Sequence, residues 1–166
     1  MSAAVKGYTL IELMVVIALI SIMLVFSLPR FHAAFFTDDA KKASRWIIGK
    51  VQSMKEAALR DQKQYTLNFN IDTGRMWETE ASMSQEALES AELNAYDLPE
   101  GMEIIDVEYP RQGKLSAGLT GINFYRAGYT DKALIHIQDG DNQMSFLLEP
   151  FLSKVKVYEM YASFDD

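Results

Sequence analysis

The 166-residue chain contains no cysteine and only two histidines. Without cysteine there are no disulfide staples, so the fold relies on packing even where its compartment would permit such bridges. Basic residues are also in deficit: 16 Lys and Arg stand against 23 Asp and Glu, a net charge of -7. A nucleic-acid surface needs clustered Lys and Arg, so that class of partner is disfavoured. The sequence has no Gly-x-Ser-x-Gly elbow, no His-Glu-x-x-His pair and no phosphate-cradling glycine loop. Internal repeats and low-complexity tracts are missing too. No catalytic residue, metal site or cofactor is therefore expected, and the length leaves room for one compact domain behind an N-terminal segment.

That segment is the most informative part of the chain. Lys6-Gly7-Tyr8-Thr9-Leu10-Ile11-Glu12-Leu13 runs into a charge-free stretch that continues to Leu28. A bilayer crossing takes about 20 apolar residues, and the pattern predicts one. A secretory signal peptide carries its small-residue cleavage site after the apolar region. Here the small, basic stretch precedes it, so a cut at Gly7 leaves the apolar helix on the mature chain. Between Leu10 and Leu28 stand thirteen Leu, Ile, Val or Phe residues. At roughly 0.3–0.6 kcal/mol each they favour insertion by about 4–8 kcal/mol in sum. This outweighs the roughly 2.5–3.5 kcal/mol opposing one charge at the helix centre. Glu12 thus does not prevent insertion, but it needs either a cationic partner or a route to the headgroups. Lys6, the only charge before Glu12, predicts a cytoplasmic N-terminus and an exported remainder.

Gly7 followed by Tyr-Thr-Leu-Ile-Glu-Leu-Met-Val-Val-Ile resembles the prepilin-peptidase signal of type IV pilins and type II secretion pseudopilins. The resemblance implies a leader, residues 1–7, cut after Gly7, and N-methylation of the new first residue, Tyr8. Most members have Phe at that place. It also implies that Glu12 is the acid fifth in the mature chain, which meets the α-amino group of a neighbour's Tyr8 and sets axial register. Pro29 matches the family's proline toward the end of the membrane helix. Removing a helix hydrogen bond there predicts a kink or local melting, or a plain break between anchor and domain. Many major pilins close their C-terminal region with a disulfide, which this chain cannot.

Beyond Pro29 the chain reads as a continuing helix to about Asp61. Ala40, Ala43, Ile47, Val51, Met54 and Ala58 recur at three- and four-residue steps, a single apolar stripe whose favoured reading is core packing rather than fibre contact. Then Tyr65, Leu67, Phe69 and Ile71 alternate with polar residues, Asp72-Thr73-Gly74 signals a turn, and Arg75 to Thr79 returns as a strand. The acidic stretch 78–97 holds a short helix with Ser82 and Gln85 as a capping box. Strand-like runs follow at Met102–Tyr109, Gly121–Tyr125, Ala133–Ile137, Met144–Leu148 and Val155–Tyr161, separated mostly by turn residues. Strands that follow a long helix instead of alternating with helices indicate α+β with antiparallel pairing.

The full expectation is a long N-terminal helix, transmembrane in residues 8–29 and amphipathic to about residue 62, packed on antiparallel sheet within a domain 30–166. His136 alternates away from Ile135 and Ile137, in a solvent-facing or satisfied sheet position. Asp139-Gly140-Asp141-Asn142 lacks the alternating acids and distal Glu of an EF-hand and reads as a hairpin turn. Glu86, Glu89 and Glu92 form a solvated face. The stretch Ala57-Ala58-Leu59-Arg60-Asp61-Gln62, the hairpin after it and Gly121-Ile122-Asn123-Phe124 are similar to the GspH/FimT branch of minor pseudopilins.

That branch implies a minor pseudopilin of the type II secretion pseudopilus, single-pass in the bacterial inner membrane with a periplasmic domain. Its implied partners are other minor pseudopilins, the major pseudopilin, prepilin peptidase, an inner-membrane assembly platform, and lipid before assembly. A FimT-like minor pilin of a type IV pilus, in pilus assembly or DNA uptake, is the alternative. DNA uptake needs a basic mobile segment, whereas this tail ends in Asp165-Asp166, so no nucleic-acid partner is expected.

Overall fold

The structure, a computed structural model, describes residues 9–31 and 37–164, with side chains in the first stretch described up to Met23. The chain divides into two units, Met1–Phe35 and Phe36–Asp166. The first holds one helix, α1 (Leu10–Phe31). Among the described residues no helix is long and apolar enough to cross a membrane. This overturns the expected transmembrane half, and with it the single-pass inner-membrane localisation. Within α1 the charge-free run is bounded by Glu12 in the first turn and by Arg30 near the end, just past Pro29. Pro29, where a kink, local melting or break was expected, falls near the end of α1, which runs two residues beyond it; the second histidine, His32, lies outside the described residues.

The expected continuous helix also fails at Thr37, which is extended (φ -62°, ψ 160°) and opens a new helix, α2 (Asp38–Asp61). Its hydroxyl accepts the Ala40 N–H at 3.1 Å, and Asp38 and Asp39 sit in the positive first turn. The helix stops at Gln62, which adopts the left-handed conformation. The buried face of α2 is the six-residue stripe Ala40, Ala43, Ile47, Val51, Met54 and Ala58. Full burial of each large member contributes about 1.5–3 kcal/mol.

Two antiparallel sheets complete the second unit. The first has the order β3-β2-β1-β6 and the second β5-β4-β7-β8-β9. The first is formed by β1 (Tyr65–Asn70), β2 (Arg75–Glu80), the two-residue β3 (Tyr96–Asp97) and β6 (Leu119–Phe124). The second is formed by β4 (Met102–Tyr109), β5 (Gly113–Leu115), β7 (Ala133–Asp139), β8 (Asn142–Leu148) and β9 (Lys156–Tyr158). Leu67, Phe69, Met76, Ile122 and Phe124 from the first sheet join Ile104, Val107, Ile135, Ile137, Phe146 and Leu148 from the second in one core with α2. Across the seam, the Tyr109 hydroxyl on β4 donates to the Gly121 carbonyl on β6 at 2.9 Å. Gly121 itself permits close packing, since a Cβ there would lie 2.7 Å from Thr66 Cγ2.

Helix α3 (Gln85–Leu93) follows β2, but its cap is Ser84, not Ser82. Ser84 Oγ accepts the Ala87 N–H at 3.3 Å, while Ser82 turns back to Glu80. Glu86, Glu89 and Glu92 are exposed, as a solvated face requires. Asp139 to Asn142 makes the β7–β8 hairpin turn, with Gly140 at φ 58°.

Strand β4 carries a bulge: Ile104 pairs with Ile137 and Asp106 with His136, leaving Ile105 extra. Strict alternation would align Asp106 and Glu108 with the core residues Met102 and Ile104. The inserted residue reverses that parity, sends Val107 inward and turns the two acids to the opposite face.

Candidate functional site

Helix α1 presents apolar side chains on every side, from Leu10 at 75% exposure to Val16 at 42%. A helix that is hydrophobic all round is stable only when something covers it. Within it stands one acid, with Arg30 near the far end. Glu12 lies in the first turn, where the positive end of the helix dipole favours an acid. Its N–H donates to Thr9 Oγ1 at 3.3 Å, and the Leu13 N–H donates to the Thr9 carbonyl at 3.2 Å, so Thr9 starts the helix. None of the ion pairs among the described residues involves Glu12. Gly7 and Tyr8, the expected cleavage and methylation positions, lie outside the described residues.

In the second unit an open cleft of about 660 Å³ is lined by Lys63, Glu80, Tyr125, Arg126 and Tyr129, among others. Its carboxylate is committed: Glu80 accepts from Lys63 at 2.8 Å. The lysine, then Ser82, hold the Glu80 carboxyl below its usual range. Nearby, Arg60 and then Tyr65 do the same to Asp61, while the Asp61 bond pushes the Tyr65 phenol up. Acids held ionised and phenols held protonated are poorly matched to proton transfer near neutral pH. Among the described residues no group of three or more His, Cys, Asp or Glu is placed to hold a metal ion.

The densest polar arrangement was not anticipated from the sequence. The face of the second sheet turned away from α2 carries Asp106, Glu108, His136 and Ser145, all buried. The C-terminal tail, residues 160–164, lies across it. His136 Nδ1 is 2.7 Å from Asp106 Oδ1 and its Nε2 is 2.7 Å from the Ala162 carbonyl oxygen. The Tyr161 ring stacks on the imidazole at 4.0 Å, and its hydroxyl donates to Asp106 Oδ2 at 2.7 Å. Ser145 Oγ donates to the Met160 carbonyl and accepts from the Ala162 N–H. Glu108 Oε1 accepts from Ser163 Oγ and the Phe164 N–H.

Asp106, His136 and Ser145 match a hydrolase triad by residue type alone. Their geometry is structural: Nε2 faces a carbonyl, the serine hydroxyl is engaged by the tail backbone, and His136 and Ser145 have no exposed surface. The position of His136 opposite Ile135 and Ile137 agrees with the alternation, in its satisfied and fully buried form. The signal for the rest was two acids at alternate positions of β4, yet without the bulge their side of the sheet could not be assigned.

Comparison with known proteins bears on both units. Residues 3–28 match the family profile of the prokaryotic N-terminal methylation motif. No curated protein sequence matches the chain. Two solved structures of the minor pseudopilin EpsH from the type II secretion system of Vibrio cholerae share its fold. One aligns with TM-score 0.54 at 14% identity, over 76% of this chain and 97% of EpsH. The other gives TM-score 0.54 at 12% identity, over 76% and 99%. The architecture is therefore pilin-like α+β, a helix on antiparallel sheets.

Proposed function

We propose that the chain is a minor pseudopilin subunit of a type II secretion pseudopilus, assembling into the fibre or its tip complex to drive export of folded proteins across the outer membrane. The observation that carries this reading is a conjunction. An N-terminal methylation motif lies at residues 3–28, and the fold matches EpsH over nearly all of that protein's length. Cleavage after Gly7 would expose Tyr8, whose methylated amine on one subunit meets Glu12 on the next. The all-round apolar surface of α1 supplies the packing between subunits, and the acid supplies register. Other minor pseudopilins, the major pseudopilin, prepilin peptidase and an assembly platform are the partners this requires.

Deletion of the gene tests the reading directly. Loss of exoprotein secretion with intact pilus-dependent motility and DNA uptake is the expected result. The reverse pattern would move the chain to a type IV pilus as a FimT-like minor pilin. Intact mass tests the processing step: the mature chain should begin at Tyr8 and carry one methyl group.

A further inference from the structure

The hydrogen bonds that fix the C-terminal tail contain a proton count that the residue types alone do not. The Ala162 carbonyl can only accept, so Nε2 of His136, 2.7 Å away, must carry a hydrogen. Nδ1 lies 2.7 Å from Asp106 Oδ1. A neutral imidazole has one N–H, and using it on Ala162 would set a bare ring nitrogen against a carboxylate oxygen. The second contact therefore needs a second proton. Asp106 is not short of donors elsewhere, since its Oδ2 takes the Tyr161 hydroxyl at 2.7 Å. Burial, then the bond to Asp106, push the Tyr161 phenol up, which keeps it a donor.

We propose that His136 and Asp106 form a buried imidazolium–carboxylate pair that latches the C-terminal tail onto the second sheet, and that the latch loosens when the ring gives up its second proton. With Asp106 ionised and His136 neutral, one of the two ring contacts must fail. The bond to the carboxylate is the stronger, so the tail carbonyl is released. Proton present means tail docked, so docking is complete at low pH and lost as pH rises. The other titratable or charged groups facing this pair are Glu108 on β4, Lys114 on β5, Tyr158 on β9 and Tyr161 on the tail. Lys114 Nζ sits 4.7 Å from the Tyr161 ring centroid. Glu108 Oε2 is buried without a hydrogen-bond partner among the described residues. Release of residues 160–164 would uncover Asp106, Glu108, His136 and Ser145 together.

The test uses the full ¹⁵N-labelled chain in mild detergent, between about pH 5 and 9. The ring-nitrogen shifts of His136 report its protonation, and hydrogen exchange reports docking through the Ala162 and Phe164 amides, corrected for intrinsic base catalysis. Both ring nitrogens should be of imidazolium type while the tail is docked. Protection of the two tail amides should fall roughly tenfold or more across the ring's titration, with Ile135 and Phe146 unaffected. In Asp106→Asn the side-chain amide can donate to a neutral ring while its carbonyl takes the Tyr161 hydroxyl, so docking should lose its pH step. A ring that is neutral while the tail is protected overturns the proposal in the wild-type chain alone. An unchanged pH step in Asp106→Asn overturns it as well.

Discussion

Helix α1 has 22 residues and helix α2 has 24, and each carries its apolar residues differently. Along α1, Leu10, Ile11, Leu13, Met14, Ile17 and Ile20 point in all directions and each is more than half exposed. Along α2 six apolar residues share one stripe, none above 1% exposure, and charged residues occupy the other sides. Both helices are opened by a threonine and begin with acid in the first turn. The contrast separates two uses of the hydrophobic effect. In α2 burial is completed within the chain and appears as folding stability. In α1 the described apolar side chains are left exposed, and the proposed fibre would draw on them as association.

The comparison breaks most sharply at Glu12. Glu12→Ala should leave the unfolding transition of the second unit unchanged. In the proposed fibre, a neighbour's amine left unpaired should cost about 3–5 kcal/mol, read as lost assembly and secretion. Secretion at the wild-type rate would remove the register role. Next in size is a matched pair, Ile47→Ala on α2 and Ile17→Ala on α1. The first should lower stability by about 2–5 kcal/mol in urea denaturation of the full chain. The second should shift that transition by less than about 0.5 kcal/mol while weakening assembly. A smaller effect is due at the cap. Thr37→Ala deletes the Ala40 bond and the bond to Asp139, with an expected loss of about 1 kcal/mol in the same denaturation experiment.

The smallest effect concerns acid. Arg60 and Lys63 depress the folded-state values of Asp61 and Glu80. Their contribution is therefore present above the ordinary carboxylate range near about pH 4 and is lost as pH falls through the lower folded values. Urea midpoints measured down that range should decline, and Asp61→Asn should flatten the decline slightly.

Much of α2 was legible because a helical stripe is a statement about every third or fourth residue, and all six stripe residues reappear as its buried face. The limits of β4 at Met102 and Tyr109 were equally readable from its apolar run. Other features had no period to read. A two-residue strand such as β3 is set by its partner Arg75–Met76 on β2 rather than by its own sequence. The sequence pattern extends the last strand to Tyr161, yet β9 stops at Tyr158 and the tail is held by side chains reaching its backbone. Ser82 offered the pattern of a capping box, but Ser84 took the cap and Glu80 took Ser82. At the N-terminus, Glu12 was located as the acid at the head of the apolar run; the counter-charge proposed for it, the Tyr8 amine, lies beyond the described residues.

The bulge on β4 gives Ile105 an importance out of proportion to its chemistry. It bears no functional group, yet its exclusion from the pairing decides which way every later side chain of that strand faces. A lineage that lost this one codon would keep Ile104 opposite Ile137 and Asp106 opposite His136, leaving a regular strand with Val107 still inward. If Ile105 were instead kept and drawn into the pairing, Asp106 and Glu108 would turn toward the core, and buried unpaired acids are costly enough to hold the bulge in place. A deletion at this point is therefore one the polar bed survives, whereas one further inserted residue without a second bulge would abolish it in a single step.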